Sequence, residues 1–347
     1  MMQLGIRAIG FGRTATVNLP LIKHAESLGF ATAWTAEAYG NDAVTPAAWV
    51  LAHTASISVG TGIMQLHART PALAAMTAMT LDQLSGGRFI LGLGPSGPQV
   101  VEGWHGVPYG RPLTRTREYV AIVRQVLARA GPLEFSGQEY QVPRTGAGTT
   151  GLGKPLKSIL RGAADVPIYT AAISEAGLRC AGEVADGTLL VWLDPDQADT
   201  AITPFVHAGR QRSRHHRDAE FATLAAVTVT IDADLERARG PIKRQLALYL
   251  GGMGARTKNF YTDYAGRLGF GDAAARIQDL FLAGRQAAAA AAVPDAMVDA
   301  LHLVGSAERI KDRLARWRAA ARAGDVTGII VTTEQPEALE LLAAELS

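Results

Sequence analysis

One cysteine, a net charge of only +2 and no long apolar run narrow what this 347-residue chain can be. Cys180 has no partner for an intramolecular disulfide, so the core alone must hold the fold, and such cysteine usage fits a reducing compartment. Charges of both signs are interspersed, which leaves no basic face for nucleic acid. The one basic run, Arg210 to Arg217, is short and isolated and reads as a solvated helix end. A bilayer span needs roughly 20 apolar residues, and Ala287 to Val293 is far shorter, so no membrane partner is expected. Met1 leads straight into a strand-like segment without a basic, then apolar, leader, and the expectation is a cytoplasmic protein. HExxH, CxxC and clustered acids are absent, which gives no metal signature, and no GxSxG marks a serine nucleophile.

What is present is organised around Leu81 to Gly97. An apolar helical pattern stops at Ser85-Gly86-Gly87, a C-cap signal; Arg88 to Leu91 then reads as a buried strand and opens into a loop of small residues. Gly92, Gly94 and Gly97 satisfy G-x-G-x-x-G, but Pro95 and Pro98 interrupt the loop and no helix is expected before about Leu113, which argues against a dinucleotide fingerprint. Arg88 and Asp82 are expected to pair beneath the sheet, and Trp34 and Trp192 to serve packing.

Strand-like and helical stretches alternate along the chain. Strands are expected at Leu4–Ile9, Ala31–Thr35, Ile57–Ile63, Arg88–Leu93, Val166–Thr170, Gly187–Trp192, Thr223–Ile231 and Gly328–Thr332, and helices at Leu19–Leu28, from Pro71, at Thr114–Ala130, Ser174–Val184, Asp196 to about Arg212 and Ser306–Ala323, and from Pro336, with none marked between Thr35 and Ile57. Eight strands with helical crossovers favour an α/β fold, a (β/α)8 TIM barrel, as a single domain over residues 1–347. Two insertions interrupt the alternation, at about 132–162 with a small hairpin near Ser136-Gly137, and at about 240–300, between strands seven and eight. The second carries more apolar and aromatic residues than an exposed excursion can hide. It is expected to cap the mouth, with a Tyr249 to Gly254 turn at the carboxyl-end face; packing outside the barrel or in a dimer contact is the other possibility.

Three segments carry a resemblance: AESLGFATAWTAEAYGNDA, TGIMQLHARTPALAAMTAMTLDQLSGGRFILGLGPSGPQVVEGWHG and VPIYTAAISEAGLRCAGEVADG. With YLGGMGARTKNFYTDYAGRLGF, they resemble the bacterial luciferase-like monooxygenase superfamily, and within it the deazaflavin-dependent branch that includes methylenetetrahydromethanopterin reductase. The resemblance implies a barrel with insertions, a homodimer, non-covalent binding of coenzyme F420 and hydride exchange with a small-molecule substrate. An FMN-dependent, oxygen-using monooxygenase and a non-catalytic ligand-binding barrel remain alternatives.

Site residues follow from strand ends and from that resemblance. Glu37 leaves the second strand at its carboxyl end, and the resemblance implies that it lies near the cofactor ring; as a plain loop acid it would sit in solvent. Gly62 and Ile63 end the third strand, where the resemblance implies a non-prolyl cis peptide behind the ring, with Gln65 counted beside them; Gly62 could equally serve close packing. Ser96, Gly97 and Pro98 are expected along the cofactor's tail. Ile173, Ser174, Glu175, Ala176 and Gly177 open a helix whose free amides suit the tail's phosphodiester, although every barrel helix has such an end. His67 and His105 fall in loops near the mouth and are candidate proton donors, with Glu37 a third; a structural role is open for each.

Overall fold

Parallel strands covered on both faces read as apolar runs, and the wholly buried Phe89–Gly94 is one of them. The computed structural model, which describes residues 2–9, 13–162, 165–213 and 220–346, has eight such strands. In order they are Gln3–Arg7, Thr32–Thr35, Ser58–Thr61, Phe89–Gly94, Ile168–Ala171, Gly187–Leu190, Ala222–Ile231 and Gly328–Thr332. Each pairs in parallel with the next, and the eighth returns to the first with Val331 opposite Ile6. The fold is the expected (β/α)8 barrel. All eight carboxyl ends therefore face one way, and functional groups gather there. No helix among the described residues is long and apolar enough to cross a membrane.

The signals around Leu81 to Gly97 act locally as the sequence suggests. Thr70 Oγ1 accepts from the Leu73 amide at 3.2 Å, Pro71 takes the first helical position, and Gly86 closes helix Pro71–Ser85 in the left-handed region at φ 69°. Other expectations need correction. A short helix, Pro98–Gly103, opens directly after Gly97, well before Leu113; the glycine loop is still no dinucleotide site, because its strand belongs to a closed barrel. Arg88 does not pair with Asp82. Its guanidinium donates instead to the carbonyls of Leu51, Thr54 and Ile57, tying down the end of helix Val44–His53. The helix expected from Asp196 to Arg212 is broken into Pro195–Gln197, Ala198–Ala201 and Thr203–Arg210, with Pro204 restarting the last piece. Of the basic run, residues 214–217 lie outside the described residues.

The barrel's interior is set by one large side chain. Trp34 is buried with Ile90, Leu189, Leu224 and Ile330, one from each of five strands, and stacks on Tyr169 at 5.8 Å. Its indole Nε1 donates to Thr32 Oγ1 at 2.8 Å. The ring fits because its two neighbouring strands carry glycine at its level. A Cβ on Gly60 would stand 2.3 Å from Trp34 Cζ3, and one on Gly5 would stand 3.2 Å from Trp34 Nε1.

Between the seventh and eighth strands lie helices Leu235–Gly252, Phe260–Arg267, Gly271–Leu282, Gln286–Ala291 and Asp295–Leu301, and then a short strand, Leu303–Gly305. That strand pairs with the outer end of the seventh, from Val229 to Ile231. The sixth strand covers the same edge only from Ala222 to Ala225. In the gap the Thr228 amide donates to His302 Nδ1 at 3.1 Å, so a side chain completes the wall where neither strand reaches. Burial brings the His302 ring from 6.5 down to about 4.

Two acid-sensitive contacts follow. Above pH 6.5 the His302 ring is neutral whether the chain is folded or not. As the pH falls from 6.5 towards 4, only the denatured chain takes up that proton, and stability is lost progressively, on the order of 3 kcal/mol. Glu26 Oε1 accepts from the amides of Ala55, Ser56 and Ile57; burial raises its pKa, but these hydrogen bonds outweigh it and bring the value from 4.5 to about 2. Its contribution is complete above pH 4.5 and disappears as the pH falls through 2. Urea unfolding measured from pH 8 to 2 is expected to show both stages. His302→Asn should remove the first, and Glu26→Gln should cost about 1–3 kcal/mol at neutral pH while removing the second.

Candidate functional site at the barrel mouth

One half of the mouth, at the ends of the second to fifth strands, is built from backbone and small side chains. Thr61 Oγ1 donates to the Gly92 carbonyl at 2.7 Å and accepts from the Gly92 amide at 3.0 Å, an approach so close that a Cβ on Gly92 would meet Thr61 O at 1.7 Å. Beyond Thr61 the Gly62–Ile63 peptide is cis, as expected. The Ile63 side chain then lies over Gly94, whose missing Cβ would stand 2.9 Å from Ile63 Cγ1.

Glu37 anchors this half. Its carboxylate accepts from the Gln65 amide at 3.0 Å, the Ala43 amide at 3.1 Å and Arg69 Nη1 at 2.8 and 2.9 Å. With side chains only 6% and 17% exposed, Glu37 and Arg69 form an enclosed pair, and the acid is fully engaged as a carboxylate rather than left over as a proton donor. Asp42 stands 3.8 Å from Arg69; burial raises its pKa, but bonds from the Thr45 and Val44 amides and the Arg69 charge bring it below the ordinary carboxylate value. Gln65 is fully buried. Its Nε2 donates to Ala38 O at 2.7 Å, which leaves Oε1 buried without a partner.

The Gly94 to Gly97 loop lies alongside. Ser96 adopts a φ of 60°, and its carbonyl accepts from Tyr109 Oη at 3.2 Å; Gly97 caps helix Pro98–Gly103 with its own carbonyl, and Pro98 is the first helical residue. His67 stacks on Tyr109 at 5.7 Å and donates through Nε2 to the Tyr109 carbonyl at 3.2 Å. Its Nδ1 is buried and unpartnered, and burial holds the ring below the ordinary imidazole value. Nε2 of His105 is likewise buried without a partner. Buried polar atoms are nearly always satisfied, and the unpartnered Gln65 Oε1 beside the third-strand end is an acceptor that a polar ligand could meet.

The fifth strand adds helix Glu175–Val184. Ser174 Oγ accepts from the Gly177 amide at 3.1 Å, and Glu175 turns to Arg179 at 3.4 Å, out in solvent. The amides of Glu175 and Ala176 are the ones Ser174 leaves uncapped, and Ala176 is exposed. The carbonyl of Ile173 accepts from the Arg267 guanidinium, which brings the long insertion onto this corner.

The opposite half of the mouth, at the ends of the first and sixth to eighth strands, is polar and aromatic. Arg7, Thr228 and Thr332 line a cavity of about 30 Å³ together with Gln245, Tyr249 and His302. Trp192, 3% exposed, closes it and packs on Tyr249 and Tyr261 at 5.7 and 5.5 Å, while Tyr264 Oη donates to its carbonyl at 2.9 Å. Tyr249 thus lies at the carboxyl-end face. The glycines after it do not form the sharp turn expected of them: Gly251 and Gly252 end helix Leu235–Gly252, and their lack of side chains admits Phe281, 2.2 Å from where a Gly251 Cβ would be. Sequence reasoning missed Arg69, Tyr109, Arg7 and His302. A larger cavity, about 200 Å³ between Thr203, Arg210, Phe221 and Asp325, lies at the amino ends of the strands and away from this chemistry. Cys180 is buried, its thiol pushed up to about 11, and takes no part in the mouth.

With this geometry in place, likeness to known proteins gains meaning. The sequence matches the family described as luciferase-like monooxygenase over residues 9–323. A Mycobacterium tuberculosis protein that carries the provisional name coenzyme F420-dependent oxidoreductase is 43% identical, covering 99% of this chain and 98% of its own. The 5,10-methylenetetrahydromethanopterin reductase of Methanolobus tindarius is 28% identical over 93% of each. In three dimensions, the coenzyme F420-dependent tetrahydromethanopterin reductase of Methanopyrus kandleri superposes with a TM-score of 0.76 at 24% identity, covering 99% of this chain and 98% of that one, a likeness of fold. The chain belongs to the luciferase-like monooxygenase family.

Proposed function

We propose that this protein is an oxidoreductase that exchanges a hydride between coenzyme F420 and a small organic substrate. The observation that carries the reading is the end-to-end likeness, at 43% identity, to the mycobacterial protein named for that cofactor. The residues of the mouth fit the group. Gln65 Oε1, buried and unpartnered, is an acceptor for a ring N–H. Ser96 and Gly97 let the backbone approach the cofactor's tail. The uncapped amides of Glu175 and Ala176 suit its phosphodiester, since a helix start carries partial positive charge and Glu175 faces Arg179 instead.

When bound, the deazaflavin supplies a two-electron hydride carrier; the chain supplies orientation and dryness. Glu37 and Arg69 hold the second-strand loop against Gln65, so the wall beneath the ring is fixed before anything binds. Tyr249, Tyr261 and Trp192 cover the mouth from the insertion side and limit the water that reaches it. Burial holds the His67 ring below the ordinary imidazole value, and its Nε2 bond to the Tyr109 carbonyl orients it beside the loop.

Two measurements test this. In fluorescence titrations the protein is expected to bind F420 at least about tenfold more tightly than FMN, a difference of about 1.4 kcal/mol; tighter saturable binding of FMN would move it to the oxygen-using monooxygenases. Ala176→Asp places a negative charge in the first turn of helix Glu175–Val184, which favours the helix itself but repels an anion. F420 affinity should fall by about tenfold with the melting temperature unchanged. Unaltered affinity would remove the helix start from the cofactor site.

A further inference from the structure

The wall of the barrel has a seam, and a histidine closes it. Along one edge of the seventh strand the sixth strand ends at Leu190 opposite Ala225, and Leu303–Gly305 takes over only at Val229. His302, which ends helix Asp295–Leu301 and precedes that short strand, fills the interval and accepts the Thr228 N–H on Nδ1 at 3.1 Å. The contact determines the ring's state. With an amide hydrogen aimed at Nδ1, a proton there would set two donors face to face, so the single ring proton is on Nε2. His302 is therefore a neutral imidazole with a donor N–H, and it is only 6% exposed.

The surroundings select what such a donor would meet. The cavity that His302 lines is bordered by Gln245, Thr228, Thr332 and Arg7 on its polar side and by Val191, Trp192 and Tyr249 on its apolar and aromatic side. No described residue lining it is acidic. The His302 N–H is a donor with no charged acceptor among these residues, and its complement is an oxygen that accepts. A volume of about 30 Å³ admits one or two small heavy groups, enough for the head of a substrate but not for its body. The ends of the strands bearing Gln65 and Ser96 form the other half of the same mouth.

We infer that this cavity is the subsite for the reacting carbon–oxygen group of the substrate, a carbonyl in the reducing direction and its alcohol in the other, with His302 Nε2–H donating to the oxygen. The inference rests on the hydride-transfer reading above and narrows its substrate class. In reduction the carbonyl carbon gains the hydride, the π pair of the C–O bond moves onto oxygen, and that oxygen takes a proton from water. His302 keeps its own proton throughout. A neutral imidazole is suited to this: it polarises the carbonyl and stabilises the developing charge without first having to lose a proton to solvent. Burial, which keeps the ring from becoming an imidazolium, makes the same donor present across the neutral range.

The test uses the full-length protein, labelled with 15N in its histidines, and acetone as the probe. Without ligand, His302 should show a bare Nδ1 and a protonated Nε2 that does not titrate between pH 5.5 and 8, roughly the range in which ordinary histidine changes charge. Acetone, with or without F420, should shift the Nε2 resonance saturably. In His302→Asn the side-chain oxygen stands in for Nδ1 and can still accept from Thr228, so the seam remains while the donor is gone. That variant should bind F420 as the wild type does and melt at the same temperature at pH 7.5, but bind acetone at least about tenfold more weakly by saturation-transfer NMR. Equal acetone affinity in the two proteins, or an Nε2 resonance in the wild type that acetone does not move, overturns the inference. The wild-type measurement needs no variant, so the inference stays open to refutation even if His302→Asn folds poorly. Failure of F420 to bind would refute the cofactor reading separately, because the acetone shift is read without it.

Discussion

The mouth of this barrel has a floor because an indole ring plugs the lumen below it. Trp34 can occupy that place only because Gly5 and Gly60 leave room on both adjoining strands. Burying a side chain of this size from water stabilises the fold by roughly 5 kcal/mol, from the area an indole covers and the usual gain per unit of area. The ring also divides the interior. Ile90, Leu189, Leu224 and Ile330 complete its layer, and the inward positions towards the carboxyl ends become small or polar: Gly94 and Ala171 on one side, Arg7, Thr228 and Thr332 on the other. A packed core gives way to a binding surface within about one residue pair along each strand.

That surface is unequal by construction. On the side of the second to fifth strands, the polar work falls to the backbone and to one enclosed ion pair. Glu37 holds Arg69 and two amides at once, so the charge of the acid is neutralised where the strand ends must be rigid. On the side of the sixth to eighth strands, Trp192 after the sixth strand and tyrosines from the long insertion supply the wall. Tyr249, Tyr261 and Trp192 pack at 4.8 to 5.7 Å with steep interplanar angles, an arrangement that covers area with few rotatable bonds. A flat, extended ligand suits the first side, and a small polar head suits the second.

The barrel was legible because its signals are short-ranged. Buried parallel strands are apolar runs, and helix Pro71–Ser85 announces both ends with Thr70, Pro71 and Gly86. Helix Val44–His53 escaped notice because Pro46 near its start and a nearly all-apolar body hide its period. Arg88 was assigned the wrong partner for a different reason: a sequence displays carboxylates but not the exposed carbonyls at the end of a distant helix, and those carbonyls hold it. Strand-end reasoning reached Glu37, Gln65, Ser96 and Ser174. It could not reach Arg69, which completes Glu37 from 32 residues away, nor Arg7, which ends the first strand and lines the same cavity as Thr332.

His302 was the least legible of all, and the reason is topological. Its place depends on where two neighbouring strands stop, which depends in turn on the insertion that returns the chain as Leu303–Gly305. The same event opens the wall and brings the helices that cover it, since the segment between Ile231 and Leu303 supplies Gln245, Tyr249 and Tyr261 as well as His302. An uninterrupted sixth strand would satisfy the Thr228 amide through its own backbone and leave no interval for a ring. The insertion therefore does more than roof the barrel. By displacing the sixth strand from the seventh near the mouth, it exchanges a backbone contact for a side chain whose second nitrogen is still free to act as a donor.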